Sequence, residues 1–188
     1  MITKSYFRKV LLQYRMILDR VMYSQRNEQL CESVANFLER KAISKLHIFL
    51  PIQKNNEPDI TSLLPAFWSG NIQVVVSKTD FMFKQMRHYL MEEQTALIEN
   101  RKGIPEPVDA EEISIEDLDL IFVPLLLSDR NGFRVGYGGG YYDRLLKETK
   151  ALKVGLSLSP PVDEILQTED WDVPLDYLIT PFKTYNYG

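Results

Sequence analysis

Four glycines fall within five positions of the run Arg134-Val135-Gly136-Tyr137-Gly138-Gly139-Gly140-Tyr141-Tyr142-Asp143. Glycine lets a backbone turn through positive φ and come close to a ligand oxygen. Successive amides can then form an anion nest, and the start of a following helix adds partial positive charge. Arg134 offers a forked guanidinium at the loop entrance. Asp143, just past the loop, is placed to hold Mg²⁺ directly or through water. The spacing is neither a Walker A loop, since no GK[ST] ending follows, nor the dinucleotide fingerprint. A turn that only joins strand to helix is the plain alternative, but four glycines exceed what a turn needs. Tyr141 and Tyr142 cannot share one helix face, so one of them faces the cleft.

A second source of chemistry is the basic start of the chain. Lys4, Arg8, Lys9, Arg15, Arg20 and Arg26 are broken only by Asp19. Lys4 and Arg8, four apart on one helix face, repel by a few tenths of a kcal/mol, a sign that an anion between them would reverse. A solvated helix face is the competing reading. Other reactive types carry less: His47 sits in an apolar strand as a structural histidine, His88 has no metal-spaced partner and reads as surface, and Cys31 reads as a packing thiol. Trp68 and Trp171 read as core or pocket wall, with core favoured for Trp171 although its place before Asp172 would let it line the site, and Glu92-Glu93 and Glu111-Glu112 read as solvated charge.

Helices and strands must position these groups. Helical spacing runs from Phe7 to Val21 behind a Thr3 cap, and a second helical pattern holds Leu30, Val34, Phe37 and Leu38. Leu46 to Leu50, Ile72 to Val76, Leu118 to Val123, Val154 to Leu158 and Tyr177 to Ile179 read as strands. Asp59 to Trp68 reads as a helix capped by Asp59 and stopped at Gly70, Phe81 to Leu90 as a strand, and Leu145-Leu146 as part of a short helix opened by Tyr141. The polar stretch Arg101 to Glu112 reads as a surface loop. Buried strands alternating with helices predict an α/β fold: one domain over residues 1–188, an open, mostly parallel or mixed sheet, helices on both faces, three layers and a Rossmann-like plan.

Composition bounds the function. The 188 residues are 45% hydrophobic and 26% charged, the balance of a globular protein. One cysteine excludes an intrachain disulfide framework and fits a reducing, cytoplasmic setting. No apolar stretch approaches a membrane span, and Lys4, Arg8 and Lys9 interrupt any signal-peptide core. A net charge of −4 argues against nucleic acid, and the locally basic start on an acidic chain points to a small anionic ligand more than a polyanion.

The run Asp129-Arg130-Asn131-Gly132-Phe133-Arg134 through Arg144 resembles the signature of 5-formyltetrahydrofolate cyclo-ligases, also called methenyltetrahydrofolate synthetases. Asp119 to Pro124 resembles the strand leading into it. Lys4 with Arg8, Glu57, Gly103-Ile104-Pro105-Glu106-Pro107 and Asp172-Val173-Pro174-Leu175-Asp176 resemble further family segments, in the expected order. Ser128 departs from the family, which commonly has an aromatic residue there. The resemblance implies that Lys4, Arg8 and Arg134 are the catalytic cations, and that these three with Gly136, Tyr137, Gly138, Gly139, Gly140, Tyr141 and Tyr142 bind ATP. It implies that Leu50, Glu57 and the span Tyr137 to Tyr141 contact the folate and that Asp143 and Asp172 hold Mg²⁺. ATP is then a co-substrate, the partners are small molecules, and the working unit is a monomer. Two other readings are a sugar-phosphate isomerase or CoA transferase on a similar sheet, and a non-catalytic folate or nucleotide binder.

Overall fold

The computed structural model describes residues 4–165 and 168–188, with the side chains of Lys4 and Ser5 outside the described set. The Thr3 cap therefore lies outside the described residues.

The five central strands are β1 (Lys45–His47), β2 (Gln73–Asp80), β6 (Leu120–Pro124), β9 (Leu152–Leu156) and β10 (Tyr177–Ile179), paired in parallel in the order β2-β1-β6-β9-β10. Antiparallel strands β3 (Gln85–Met91) and β11 (Thr184–Asn186) close the two edges of this seven-stranded sheet. Two small hairpins stand apart, β4 (Leu97–Glu99) with β5 (Pro105–Pro107) and β7 (Leu127–Ser128) with β8 (Arg134–Val135). The central strands are apolar on both faces because both faces are covered. Leu46, Val74, Val76, Leu120, Phe122 and Val154 pack with Leu30, Val34 and Leu38 of helix α2 (Arg20–Leu38) and with Leu64 and Phe67 of α3 (Leu64–Ser69). The alternate residues Val75, Ile121 and Val123 pack with Leu145 and Leu146 of α4 (Tyr141–Lys147). This is the expected three-layer α/β arrangement.

Strand order fixes where a ligand belongs. Chain order reverses between β1 and β6: from β1 the chain moves outward to β2, then returns to β6 on the other side. Connections on opposite sides diverge there and leave a crevice beyond the carboxyl ends of the two strands.

Several elements differ from the sequence reading. The first helical run breaks: α1 (Lys4–Met16) ends before Asp19, which caps α2 by accepting a bond from Met22 N at 2.8 Å. A continuous apolar period hid this because a side-chain acceptor at an N-cap overrides periodicity. Asp59 accepts from Thr61 N but is not the expected helix cap: Ile60 precedes a 3₁₀ segment, Thr61–Leu63, and α3 follows that. The expected strand at Phe81 to Leu90 is present as β3 from Gln85 on, but its first residues are a hairpin turn: β2 runs on to Asp80, whose Oδ1 accepts from Met82 and Phe83 amides and turns the chain into β3. Part of the expected loop Arg101 to Glu112 is strand β5, anchored by Glu106 Oε1, which accepts from Thr79 N and Asn100 Nδ2. Among the described residues, no helix is long and apolar enough to cross a membrane.

Candidate active site

A cleft of about 1120 Å³ opens at the β1–β6 crevice. It gathers Arg8, Leu50, Glu57, Arg134, Gly136 to Asp143 and Asp172, so the expected site residues with described side chains share one cavity. The side chain of Lys4 lies outside the described residues.

The glycine loop leaves β8 and runs into α4. Its backbone takes φ of 93° at Gly138 and 66° at Gly140, conformations that favour glycine. Gly140 is the N-cap of α4, so the loop ends on a helix start. Arg8 lies across the loop: its Nε donates to Gly136 O at 3.1 Å, and a Cβ at Gly138 would stand 3.0 Å from its Nη1. The basic face of α1 and the glycine run thus meet although 128 residues separate them.

The loop is joined to the rest of the cleft by Tyr137. Arg15 donates to the Tyr137 hydroxyl, which donates to Glu57 Oε1. Glu57 Oε2 accepts from Ile52 N at 2.7 Å. Glu57 is buried, and desolvation holds its carboxyl above the ordinary value, opposed by the Ile52 and Tyr137 hydrogen bonds and the Arg15 charge. The Tyr137 hydroxyl is driven well above the phenol value, first by burial and then by Glu57. Arg15 also donates to Asn55 O and Leu125 O, bridging the ends of β1 and β6. Sequence reasoning singled out Arg8 and passed over Arg15; its position two turns on, along the same helix face, was the available signal.

Arg134 does not reach over the loop. Its Nη2 meets Asp143 Oδ1 at 2.6 Å and its Nη1 donates to Val173 O, with the side chain 5% exposed. Burial lowers its pKa, with Asp143 the largest opposing influence. Asp143 is thereby tied to the segment that carries Asp172, whose Oδ2 accepts from Glu169 N. No group of three or more His, Cys, Asp or Glu side chains suited to a metal occurs among the described residues. Two carboxylates beside the glycine loop fit the needs of Mg²⁺, which keeps several waters and takes one or two protein ligands.

Of the paired tyrosines, Tyr142 turns inward against His47 and both core clusters, while Tyr141 stacks edge-on to Phe81 at 6.3 Å and carries Arg144 against its ring. Trp171, expected in the core, is 58% exposed and borders the cleft. Trp68 is core, its Nε1 donating to Met91 O. Cys31 is a buried free thiol, as expected. His88, expected on the surface, is half-buried and bonded to Ser77. Lys102, Arg144 and Lys147 add cations to the cleft rim that the sequence did not single out.

Asp129 is fully buried and shapes the hairpin before the loop: Oδ1 accepts from the Asn131 and Phe133 amides and Oδ2 from Ile165 N. Ser128 is buried beside it, donating to Asp129 O at 3.3 Å. The departure at Ser128 thus lies under the hairpin and not on the cleft wall.

Residues 1–181 match the model of the 5-formyltetrahydrofolate cyclo-ligase family. A 5-formyltetrahydrofolate cyclo-ligase of Haemophilus influenzae is 27% identical over 181 residues, covering 92% of this chain and 94% of that protein. The 5,10-methenyltetrahydrofolate synthetase of Aquifex aeolicus superposes with a TM-score of 0.84 at 33% identity, covering 98% and 92% of the two chains. A 5,10-methenyltetrahydrofolate synthetase from Mycoplasma pneumoniae superposes at a TM-score of 0.78 and 23% identity, over 95% and 98%; at that identity the likeness concerns the fold.

Proposed function

We propose, for a chain that belongs to the 5-formyltetrahydrofolate cyclo-ligase family, an ATP- and Mg²⁺-dependent conversion of 5-formyltetrahydrofolate to 5,10-methenyltetrahydrofolate, with release of ADP and phosphate. One observation carries the reading: a single cleft joins a cation-clamped glycine loop to the buried carboxylate Glu57 through Tyr137.

A formamide is a poor electrophile and its oxygen a poor leaving group. The γ-phosphoryl group passes from ATP to the formyl oxygen, breaking the β–γ bridge. N10 of the folate then attacks the formyl carbon, the carbon–oxygen bond breaks, N10 gives up its proton, and phosphate leaves. Phosphoryl transfer needs alignment and charge neutralisation more than covalent help. Arg8 and the loop amides supply these at the phosphates, with Lys4 one turn before Arg8 on α1. Bound Mg²⁺, held by Asp143 and Asp172, would neutralise phosphate charge. Arg134 sets the position of Asp143. Leu50 forms an apolar wall for the pterin, and Glu57, with one lone pair free on each oxygen, accepts from its amino and ring N–H groups. All these groups come from one chain, so we read the working unit as the monomer.

The test is an absorbance assay for methenyl product, run complete and with ATP or Mg²⁺ omitted. Product only in the complete mixture is expected. Product without ATP, or phosphate release indifferent to the folate, overturns the reading.

A further inference from the structure

A row of polar side chains crosses the sheet beneath α4, and the reaction above makes no use of it. Ser77 on β2 and His88 on β3 are direct cross-strand partners, with Oγ 3.0 Å from His88 Nδ1. On the other side of Ser77, His47 Nε2 on β1 lies 2.6 Å from the same oxygen. His47 is fully buried, and its Nδ1 has no hydrogen-bond partner.

Counting protons shows what the row can do. Burial lowers His47 to about 3 and His88 to about 4, so each ring is neutral near neutral pH and carries one N–H. A buried N–H with no acceptor is the rarer kind of orphan, so the His47 proton belongs on Nε2, leaving Nδ1 bare. Nε2–H then donates to Ser77 Oγ. The hydroxyl hydrogen of Ser77 turns to His88 Nδ1, and the proton of His88 sits on its Nε2. Ser77 has now given its only hydrogen and used one of its two lone pairs.

Ser77 also lines the cleft. The β1–β2 register, Lys45 with Gln73 through His47 with Val75, carried on past Ile48 N to Val75 O, sets Ser77 abreast of Phe49, and Phe49 and its chain neighbours Ile48 and Leu50 line the same cleft. That is the folate half of the site as read above, and this inference rests on that reading. We propose that Ser77 is a substrate-binding residue whose remaining lone pair accepts a hydrogen bond from a ring N–H of the reduced folate, one that Glu57 does not take. Because its hydrogen is locked toward His88, Ser77 can only accept. It selects a ligand that presents a donor there and disfavours one that presents a bare ring nitrogen or a carbonyl.

The test uses the full chain. Ser77→Ala is expected to raise KM for 5-formyltetrahydrofolate about tenfold, the loss of one hydrogen bond, with KM for ATP unchanged. Ser77→Thr keeps the hydroxyl and is expected to restore KM to within about twofold of the wild type. In the wild-type protein labelled with ¹⁵N-histidine, NMR is expected to show two neutral rings, His47 protonated on Nε2, and the His88 resonances shifting when 5-formyltetrahydrofolate is added without ATP. A folded Ser77→Ala protein with unchanged folate KM, an equal rise in both KM values, or His88 resonances indifferent to the folate overturns the assignment; if Ser77→Ala does not fold, Ser77→Thr and the NMR titration decide it. Those failures in a wild type that makes methenyl product leave the proposed function standing. A wild type that makes none removes both.

Discussion

Arg134 Nη2 sits 2.6 Å from Asp143 Oδ1, and the same guanidinium reaches Val173 O, so one side chain fastens the start of α4 to the segment bearing Asp172. The two carboxylates assigned to Mg²⁺ thereby keep a fixed relation.

Asp143→Ala should remove a metal ligand and strand a nearly buried cation. Turnover should fall by about 100-fold or more while folate affinity changes less, and stability should drop by about 2–3 kcal/mol. Asp143→Asn separates the two effects in part: its amide oxygen still accepts from Arg134 but brings no counter-charge, so it should lose less stability than Asp143→Ala while kcat collapses as far. Thermal melts alongside steady-state kinetics decide this, and a normal kcat in Asp143→Ala would remove the metal role.

Arg8 and Gly138 should behave as one unit. Arg8→Ala should raise KM for ATP and depress kcat, with little change in folate binding. Gly138→Ala forces a methyl against Arg8 at a backbone angle that L residues resist, costing about 1–2 kcal/mol locally. In the double variant the two losses should sum to less than their separate values, which a double-mutant cycle on kcat/KM for ATP measures.

Glu57→Gln should weaken folate binding at least about tenfold, because one acceptor becomes a donor. It should also change the pH dependence of stability. Glu57 has a raised folded pKa, so its stabilising contribution is whole below its unfolded value of 4.5 and is lost as pH rises through the folded value. Relative to the wild type, the variant should therefore gain stability between pH 4.5 and neutrality, followed by urea unfolding across that range.

His47 and His88 act in the opposite sense. Both folded values are depressed, to about 3 and about 4, so their contribution is whole above the unfolded value of 6.5 and drains away as pH falls toward them. By pH 5 each ring should have given up about 2 kcal/mol, about 4 kcal/mol for the pair. Replacing His47 by Phe and His88 by Leu should flatten the acid limb of the stability curve, whatever stability is lost at neutral pH. An unchanged acid limb would contradict neutral burial of these rings.

Local signals revealed much of this. The β-branched run Ile72 to Val76 announced a strand buried on both faces, and the glycines at 138 and 140 announced positive φ; both follow from the residue's own sterics. Arg8 meeting Gly136 was legible only through family resemblance, since no periodicity links residues so far apart. The partners of Arg134, Arg15 and His88 were not legible at all. Each is fixed by how the glycine loop, the first helix and the β2–β3 hairpin fold back on the cleft, a property of the assembled chain rather than of any local run. For Trp171 the favoured core reading gave way to the pocket-wall one: a large aromatic ring is normally buried, whereas here it walls a cleft.

The contact between Arg8 and the Gly136 carbonyl has a bearing on how the protein is born. A nascent chain emerging from the ribosome exposes α1 long before the residues it must grip have been synthesised. The contact of α1 with the glycine run therefore cannot form during the first two thirds of translation, and separations this long slow folding generally. Until the loop arrives, the basic helix can close only on earlier partners such as the Asn55 carbonyl, and its grip on the glycine run is a late event of synthesis.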